Sequence, residues 1–393
     1  MRKVVLAAAI VTLVGCGASG VHHGGAGGNG GNGNGSGGGT GSGSGGGPCT
    51  GNDPNADADG DGYTPSMGDC NDCDANINPG AVDVMGDNDC DGKVDDHSVC
   101  DAGLVGKTDV ASIAQAMDVC DPRFLKSATL GTPANSMGVN VDKARNILAS
   151  FGTAWTPHKG GNMAMISTGV AVPEGGPGFA NPQDGTGLGG LLSGDSAPNP
   201  LPNLKGASNC KNNPMAPDTV QDYTEIALEF VAPTNANSFS FDFQFFSGEY
   251  PEFVCDMFND QFLVIVKSDK TYATDTNISF DSAMNPITVN SGFFSVCDDH
   301  ANSNVISPMP CKQPASTNAG TGYEKPGGHT VDNIPGGSTG WLTTTAPIQP
   351  REHFTLRFII FDEGDHILDS AVLLDNFRWV TSPVSAPTTV PSN

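Results

Sequence analysis

Two short runs carry the clearest chemical signature in the chain: Asp57-Ala58-Asp59-Gly60-Asp61-Gly62-Tyr63, and Asp87-Asn88-Asp89-Cys90-Asp91-Gly92-Lys93-Val94-Asp95-Asp96. Carboxylates spaced two apart at loop positions 1, 3 and 5 can converge on one point when a glycine at position 6 lets the backbone turn back sharply. Calcium suits such a focus, since it takes about six to eight oxygens at about 2.3–2.6 Å. The backbone carbonyls of Tyr63 and Lys93 fall at position 7 and Asp95 at position 9, while Asp69, Asp72 or Asp74 are placed to complete the first site. Neither run has the bidentate glutamate of an EF-hand at position 12, and no helical pattern flanks either one, so an EF-hand is excluded. A solvated Asp/Gly linker is the bland alternative. Capture of a transition metal such as copper by the nearby cysteines is another, against which the hard aspartate oxygens argue.

A second acidic set lies further along. Glu249, Glu252, Asp256 and Asp260 follow one strand-like run, and Asp362, Glu363, Asp365 and Asp369 precede another. Loops of a sandwich gather at its ends, so Glu249, Asp256, Asp260, Asp362, Asp365 and Asp369 could share a cation there. The competing expectation is solvated loop carboxylates, with Asp365 and Asp369 capping turns. Signs of catalysis are poor. Gly336-Gly337-Ser338-Thr339-Gly340 spells a nucleophile elbow but lacks a strand before it and a helix after it. The eight histidines are scattered, which favours neither a triad nor a zinc site. No catalytic residue is therefore assigned and a non-catalytic protein is expected; a surface hydrolase of polysaccharide or ester, with the sandwich as ancillary binding domain, is the alternative.

Arg2 and Lys3 precede the apolar run Val4–Val14, too short for a spanning helix, and Leu13-Val14-Gly15-Cys16 closes it. This N-terminus resembles the signal of bacterial lipoproteins. The resemblance implies cleavage after residue 15, a diacylglycerol on Cys16, and an exported protein anchored to a membrane, at the outer membrane or cell surface. An ordinary secretory signal is the alternative. Ten cysteines then remain for disulfides in an oxidising compartment: Cys49, Cys70, Cys73, Cys90, Cys100, Cys120, Cys210, Cys255, Cys297 and Cys311. The last four alone allow three pairings, which spacing does not choose between. With 43 acidic against 18 basic residues the formal charge is −25, which repels phosphate backbones and excludes nucleic acid as a partner.

Residues 16–48 after the signal are almost wholly Gly, Asn and Ser, and are expected to form a disordered tether reaching on the order of 30 Å by the scaling of about 5–6 Å × √n. Residues 49–101 form an irregular Asp/Cys-rich module without helical or strand periodicity. Short amphipathic helices are expected over Thr108–Cys120, capped by Thr108, and over Asp142–Phe151. The stretches Pro173–Pro217 and Gly320–Gly340 read as loops. Strong strand patterns follow. Ile226, Leu228 and Phe230 alternate with Glu225, Ala227 and Glu229, and Phe239, Phe241, Phe243 and Phe245 with Ser240, Asp242 and Gln244, giving each strand one wet face. Phe262–Val266, Phe354–Phe361 and Ala371–Val380 are more continuously apolar, as in strands near the middle of a stack. The fold class expected is all-β: a jelly-roll-like β-sandwich over 102–380 and a disordered tail over 381–393.

Two further resemblances bear on these segments. Asp57–Tyr63, Gly68–Asp72, Asn78-Pro79-Gly80-Ala81, Asp87–Gly92 and Asp95-Asp96 resemble a recurrent bacterial metal-binding motif. Its usual cysteine before the second acidic loop is replaced here by Val84-Met85, and Cys73 is extra. Pairing Cys70 with Cys90 would staple the two loops, one possibility among many. Ile166-Ser167-Thr168-Gly169, Phe239–Asp260 and Phe361–Phe377 resemble the choice-of-anchor L domain of bacterial surface proteins, over most of residues 125–380. That resemblance implies a displayed β-sandwich joined to an anchor, here the lipid, and no established reaction. Together these features predict a calcium-binding adhesion or interaction module whose partner is a surface protein or polysaccharide.

Overall fold

The computed structural model describes residues 53–94, 100–131, 141–184, 195–196, 210–211, 219–256, 258–299, 310–328 and 333–392. Cys16, Cys49, Asp95 and Asp96, with the expected signal and tether, lie outside them.

The strands in chain order are β1 (Leu125–Gly131), β2 (Arg145–Leu148), β3 (Met163–Ser167), β4 (Asp195–Ser196), β5 (Thr219–Val231), β6 (Ser238–Ser247) and β7 (Gln261–Ser268). They continue with β8 (Thr276–Asn277), β9 (Ile287–Thr288), β10 (Gly337–Ser338), β11 (Leu342–Pro347), β12 (His353–Glu363), β13 (Ser370–Val380) and β14 (Thr388–Pro391). Two antiparallel sheets result. One runs β1-β5-β12-β7-β8, with β4 beside β5 and β9 beside β7; the other runs β14-β11-β6-β13-β3-β2, with β10 beside β6. The fold is thus the β-sandwich expected from the alternating apolar runs.

Phenylalanines fill the space between the sheets. Phe239, Phe241, Phe243 and Phe245 of β6 point one way, by the two-residue period of a strand, and meet Phe354, Phe358 and Phe262 of the facing sheet with ring centroids 5.1–5.2 Å apart for Phe239–Phe354, Phe241–Phe358 and Phe243–Phe262. The wet face expected for β6 is absent: Ser240, Asp242 and Gln244 are buried as well. A second apolar cluster lies on that side of the sheet, where Met163, Met165 and Phe246 of the sheet itself meet Phe151, Trp155 and Tyr323. Loops carrying Phe151, Trp155 and Tyr323 fold back over the sheet, a long-range arrangement that strand periodicity does not encode.

Three expectations of local structure are corrected. The helix is shorter than the pattern, α1 (Val110–Ala116), and its cap is Asp109, whose side chain accepts from Ser112 N at 2.9 Å, rather than Thr108. Residues 142–151 are not a helix: one 3-10 turn, Val141–Ala144, leads into β2, where pairing with β3 outweighs local propensity. The C-terminal tail is not wholly irregular, because Thr388–Pro391 adds to the sheet edge along β11.

The Asp/Cys-rich segment belongs to the same compact unit as the sandwich, residues 49–393. Asn78 and Ala81 are fully buried against the turn between β5 and β6. There Val82 N donates to Asn235 Oδ1 (3.0 Å), Asn235 Nδ2 returns to Val82 O (2.8 Å), and Thr234 Oγ1 donates to Asn78 Oδ1 (2.7 Å). Disulfides join Cys70–Cys90, Cys100–Cys120, Cys210–Cys255 and Cys297–Cys311, and Cys73 is disulfide-bonded too.

Candidate metal centres

The first acidic run turns through two left-handed steps, Gly60 (φ +81°) and Gly62 (φ +85°), which a side chain would strain. The turn lets each carboxylate split its duties. Asp57 Oδ1 and Oδ2 accept from Gly60 N (2.7 Å) and Gly62 N (2.8 Å), Asp59 Oδ1 accepts from Asp61 N (3.1 Å), and Asp61 Oδ1 accepts from Tyr63 N (2.7 Å). The remaining oxygens, Asp59 Oδ2 and Asp61 Oδ2, are buried without a hydrogen-bond partner. Buried acceptors of this kind are costly unless a cation or proton meets them.

These side chains share a focus. One oxygen each of Asp57, Asp59 and Asp61 lies within 4.8 Å of the others, and Asp59, Asp69 and Asp72 form a second such group. Asp69 Oδ2 is likewise buried and unpartnered, while Asp72 Oδ1 accepts from Ala58 N at 2.8 Å. Five of the six aspartates read from the sequence around the first loop thus fall into two groups that share Asp59, whereas Asp74 is in neither and accepts from Asn76 instead. Burial raises the Asp59 and Asp69 carboxyls above the ordinary aspartate range, and the neighbouring carboxylates add to the rise. Tyr63 sits at the loop exit with its ring beneath the Arg351 guanidinium, 5.5 Å from the centroid.

The second loop repeats the turn, since Gly92 (φ +86°) donates to Asp87 Oδ2 at 3.1 Å. Its focus differs from the sequence expectation. The group within 4.8 Å is Asp83, Asp87 and Asp89, with Asp83 Oδ2 and Asp87 Oδ1 buried and unpartnered. Asp91 instead turns to the Lys93 ammonium at 2.8 Å, whose hydrogen bond holds its carboxyl below the ordinary range. Asp83 was missed because it precedes the spaced run. What places it is folding-back of the chain, with Asp83 Oδ1 accepting from Asn88 N (2.7 Å) and Asp89 N (3.2 Å). Arg123 stands beside this group, its Nη2 2.8 Å from Asp89 Oδ2.

At one end of the sandwich the structure buries Glu249, Asp260, Asp362 and Asp369, all of them read from the sequence. Asp256 and Asp365 of the same set are only partly buried, and Asp365 closes a turn by accepting from Ile367 N at 3.1 Å. Asp222 joins the group unforeseen. Between the pairs Thr224↔Ile360 and Gln221↔Asp362, β5 carries one residue more than β12, and Asp222 takes φ +49° in that bulge. Bulges re-aim side chains, and an alternation count along β5 gives no sign of one.

A second bulge, in β13 beyond Asp375, gathers another polar node. Asp242 there accepts from Asn376 Nδ2 (2.7 Å) and lies 3.0 Å from His158 Nδ1, while Asp375 Oδ1 accepts from Asn376 N at 2.7 Å. It borders a groove of about 990 Å³ whose lining includes Asp89, Asp118, Arg123, Lys159, Arg378 and Trp379. Ser338 of the elbow-like pentapeptide is wholly buried, its hydroxyl donating to Asn318 Oδ1 (3.0 Å) and accepting from Gln244 Nε2 (3.2 Å).

Among the described residues no helix is long and apolar enough to cross a membrane. No curated protein and no solved structure matches the chain. The segment that carries both bulges, the buried carboxylates and the Ser167–Gly169 turn packed against them does match a family model, described as the choice-of-anchor L domain, over residues 143–377. That match spans more than half of the chain, and the protein belongs to the choice-of-anchor L domain family.

Proposed function

We propose that this protein is an exported, lipid-tethered surface module that binds calcium through its Asp-rich loops and makes non-catalytic contacts with a surface protein or a polysaccharide. The observation that carries the calcium assignment is the convergence of Asp57, Asp59 and Asp61 on one focus, with one oxygen each of Asp59 and Asp61 buried and unpartnered. The donor set is all oxygen, which suits a hard divalent cation. The nine cysteines among the described residues are disulfide-bonded, which leaves no thiolate there for soft-metal capture. The surface role follows from the family, whose domain suggests a surface-anchoring or interaction module. Anchoring through Cys16 rests on the lipoprotein-like N-terminus alone.

Calcium titration of the purified full chain, followed by thermal melting, tests the metal assignment. Added calcium should raise the melting temperature by several degrees and chelation should reverse the rise; a melting curve indifferent to both would refute the assignment. For the anchor, Cys16→Ser should move the protein from the membrane fraction to the soluble fraction. A polysaccharide, ester and peptide hydrolysis screen that found turnover lost in Ser338→Ala would replace the non-catalytic reading with a hydrolase.

A further inference from the structure

We infer that Asp260, Asp362 and Asp369 hold one hard divalent cation inside the end of the sandwich, in a site separate from the loops of residues 57–89. The carboxylates come from both sheets. Asp260 immediately precedes β7 and Asp362 lies in β12, both of one sheet, whereas Asp369 immediately precedes β13 of the other. Each is at most 2% exposed. Both oxygens of Asp362, Oδ1 of Asp260 and Oδ1 of Asp369 are buried with no hydrogen-bond partner. No Lys, Arg or His among the described residues forms an ion pair with any of the three.

Such a group cannot stay ionised in a low-dielectric interior without a counter-charge. Two remedies exist, protons or a metal. Without a metal, burial pushes Asp260 up to about 8 and pushes Asp362 and Asp369 well above the carboxylate range, with the neighbouring carboxylates adding to the rise for the latter two. Protons answer only part of this: a protonated carboxyl is a donor, and Asp260, Asp362 and the Thr168 hydroxyl stand close enough to share one, whereas Asp369 Oδ1 stays buried without a partner.

The surroundings are built to hold these side chains still. Asp260 Oδ2 accepts from Ser370 Oγ at 2.5 Å, and Ser370 N donates to Thr168 Oγ1 at 2.8 Å. The main chain on either side of Asp369 is clamped by Asp369 N to Pro182 O (2.8 Å) and Gly248 N to Asp369 O (3.0 Å). A methyl at Gly169 would collide with Asp369 Oδ2, so the close approach needs glycine. A cavity of about 10 Å³, lined in part by Asp369, Ser167 and Tyr323, adjoins the group. That is about the room one water molecule needs. The carboxylate oxygens do not converge as tightly as those of Asp57, Asp59 and Asp61, so a cation would have to draw them inward.

Metal content separates this site from the loop sites. The full chain is stripped with chelator, reloaded with calcium, magnesium or manganese in separate arms, desalted, and its metal equivalents counted by mass spectrometry. Asp362→Asn/Asp369→Asn should hold one equivalent fewer than the parent in at least one arm. Asp57→Asn/Asp59→Asn/Asp83→Asn/Asp87→Asn should keep that equivalent. In chelator the first variant should melt close to the parent, since its amides replace carboxyls that are neutral without metal, and with metal the parent should melt several degrees above it. Equal metal content in parent and Asp362→Asn/Asp369→Asn in every arm would overturn the inference and leave a proton-sharing cluster. Loss of all metal on changing the loops alone would also overturn it, while leaving the calcium-loop proposal standing. The reverse pattern would sink the loop proposal and keep this one.

Discussion

The backbone N–H of Gly62 donates to Asp57 Oδ2 over 2.8 Å, and this bond across the loop holds its first carboxylate toward the focus of the next two. Gly62 can do so because its φ of +85° belongs to glycine. Gly62→Ala meets two costs: a left-handed alanine, about 1–2 kcal/mol, and a methyl that would sit 2.6 Å from Arg351 Nη1. Gly92→Ala, at φ +86° with open space around it, meets only the first. Urea unfolding should rank Gly62→Ala below Gly92→Ala, and calcium titration should show weaker binding in both. Equal unfolding midpoints would show that the Arg351 contact yields freely.

Arg123 occupies the place of a cation beside Asp89, 2.8 Å away, while also pairing with Asp121 at 2.6 Å. The Arg123 side chain is 41% exposed, so the pairs together contribute only about 0–1 kcal/mol. Arg123→Gln should lower metal-free stability by no more than about 1 kcal/mol. It should also tighten calcium binding at the Asp83, Asp87 and Asp89 group, because Asp89 loses its internal competitor. Calorimetric titration checks the sign, and unchanged or weaker binding would count against this group as a metal site.

The Cys70–Cys90 bond closes a loop of sequence separation 20 between the two acidic runs. Loop-closure entropy for that length is about 3 kcal/mol. Cys70→Ala/Cys90→Ala should destabilise the protein by roughly that much, and chelator should deepen the loss because metal and disulfide order the same segment. Chemical denaturation with and without calcium measures both. Additive effects would show the two staples to be independent.

Asp118, partly buried, and Asp375, fully buried, form a pair near the groove. Burial pushes Asp118 up to about 6 and, with Asp118 alongside, pushes Asp375 up to about 8. Both folded-state values lie above the unfolded aspartate value of about 3.9. The folded protein therefore binds more protons between those limits, and this pair's contribution to stability falls as pH rises from about 4 to about 8. Asp118→Asn removes one of the two charges and should flatten that decline by on the order of 1–2 kcal/mol. Melting measured at pH 5 and pH 8 tests it; a steeper decline in the variant would reverse the sign and refute the pairing.

The fold class and half of the chemistry were legible in the chain itself. Alternation of Phe239, Phe241, Phe243 and Phe245 specified a half-apolar strand because side chains of a strand point alternately to its two faces. Carboxylates two apart before Gly62 and Gly92 specified turns with a common focus, because only glycine adopts the required φ at little cost. The acidic residues Glu249, Asp260, Asp362 and Asp369 were visible as a set, though their burial was not.

Tertiary structure decided the rest. Asp83 replaces Asp91 in the second group because Lys93 claims Asp91 and the chain folds Asp83 back onto Asn88 and Asp89. Asp222 enters the buried carboxylate group through a one-residue bulge, which no local pattern announces. The polar face of β6 is dry because residues distant in sequence fold against it, Trp155 and Tyr323 on Phe246 and His158 on Asp242. Local spacing sets which way a short stretch turns; which groups lose their water depends on contacts between residues far apart along the chain.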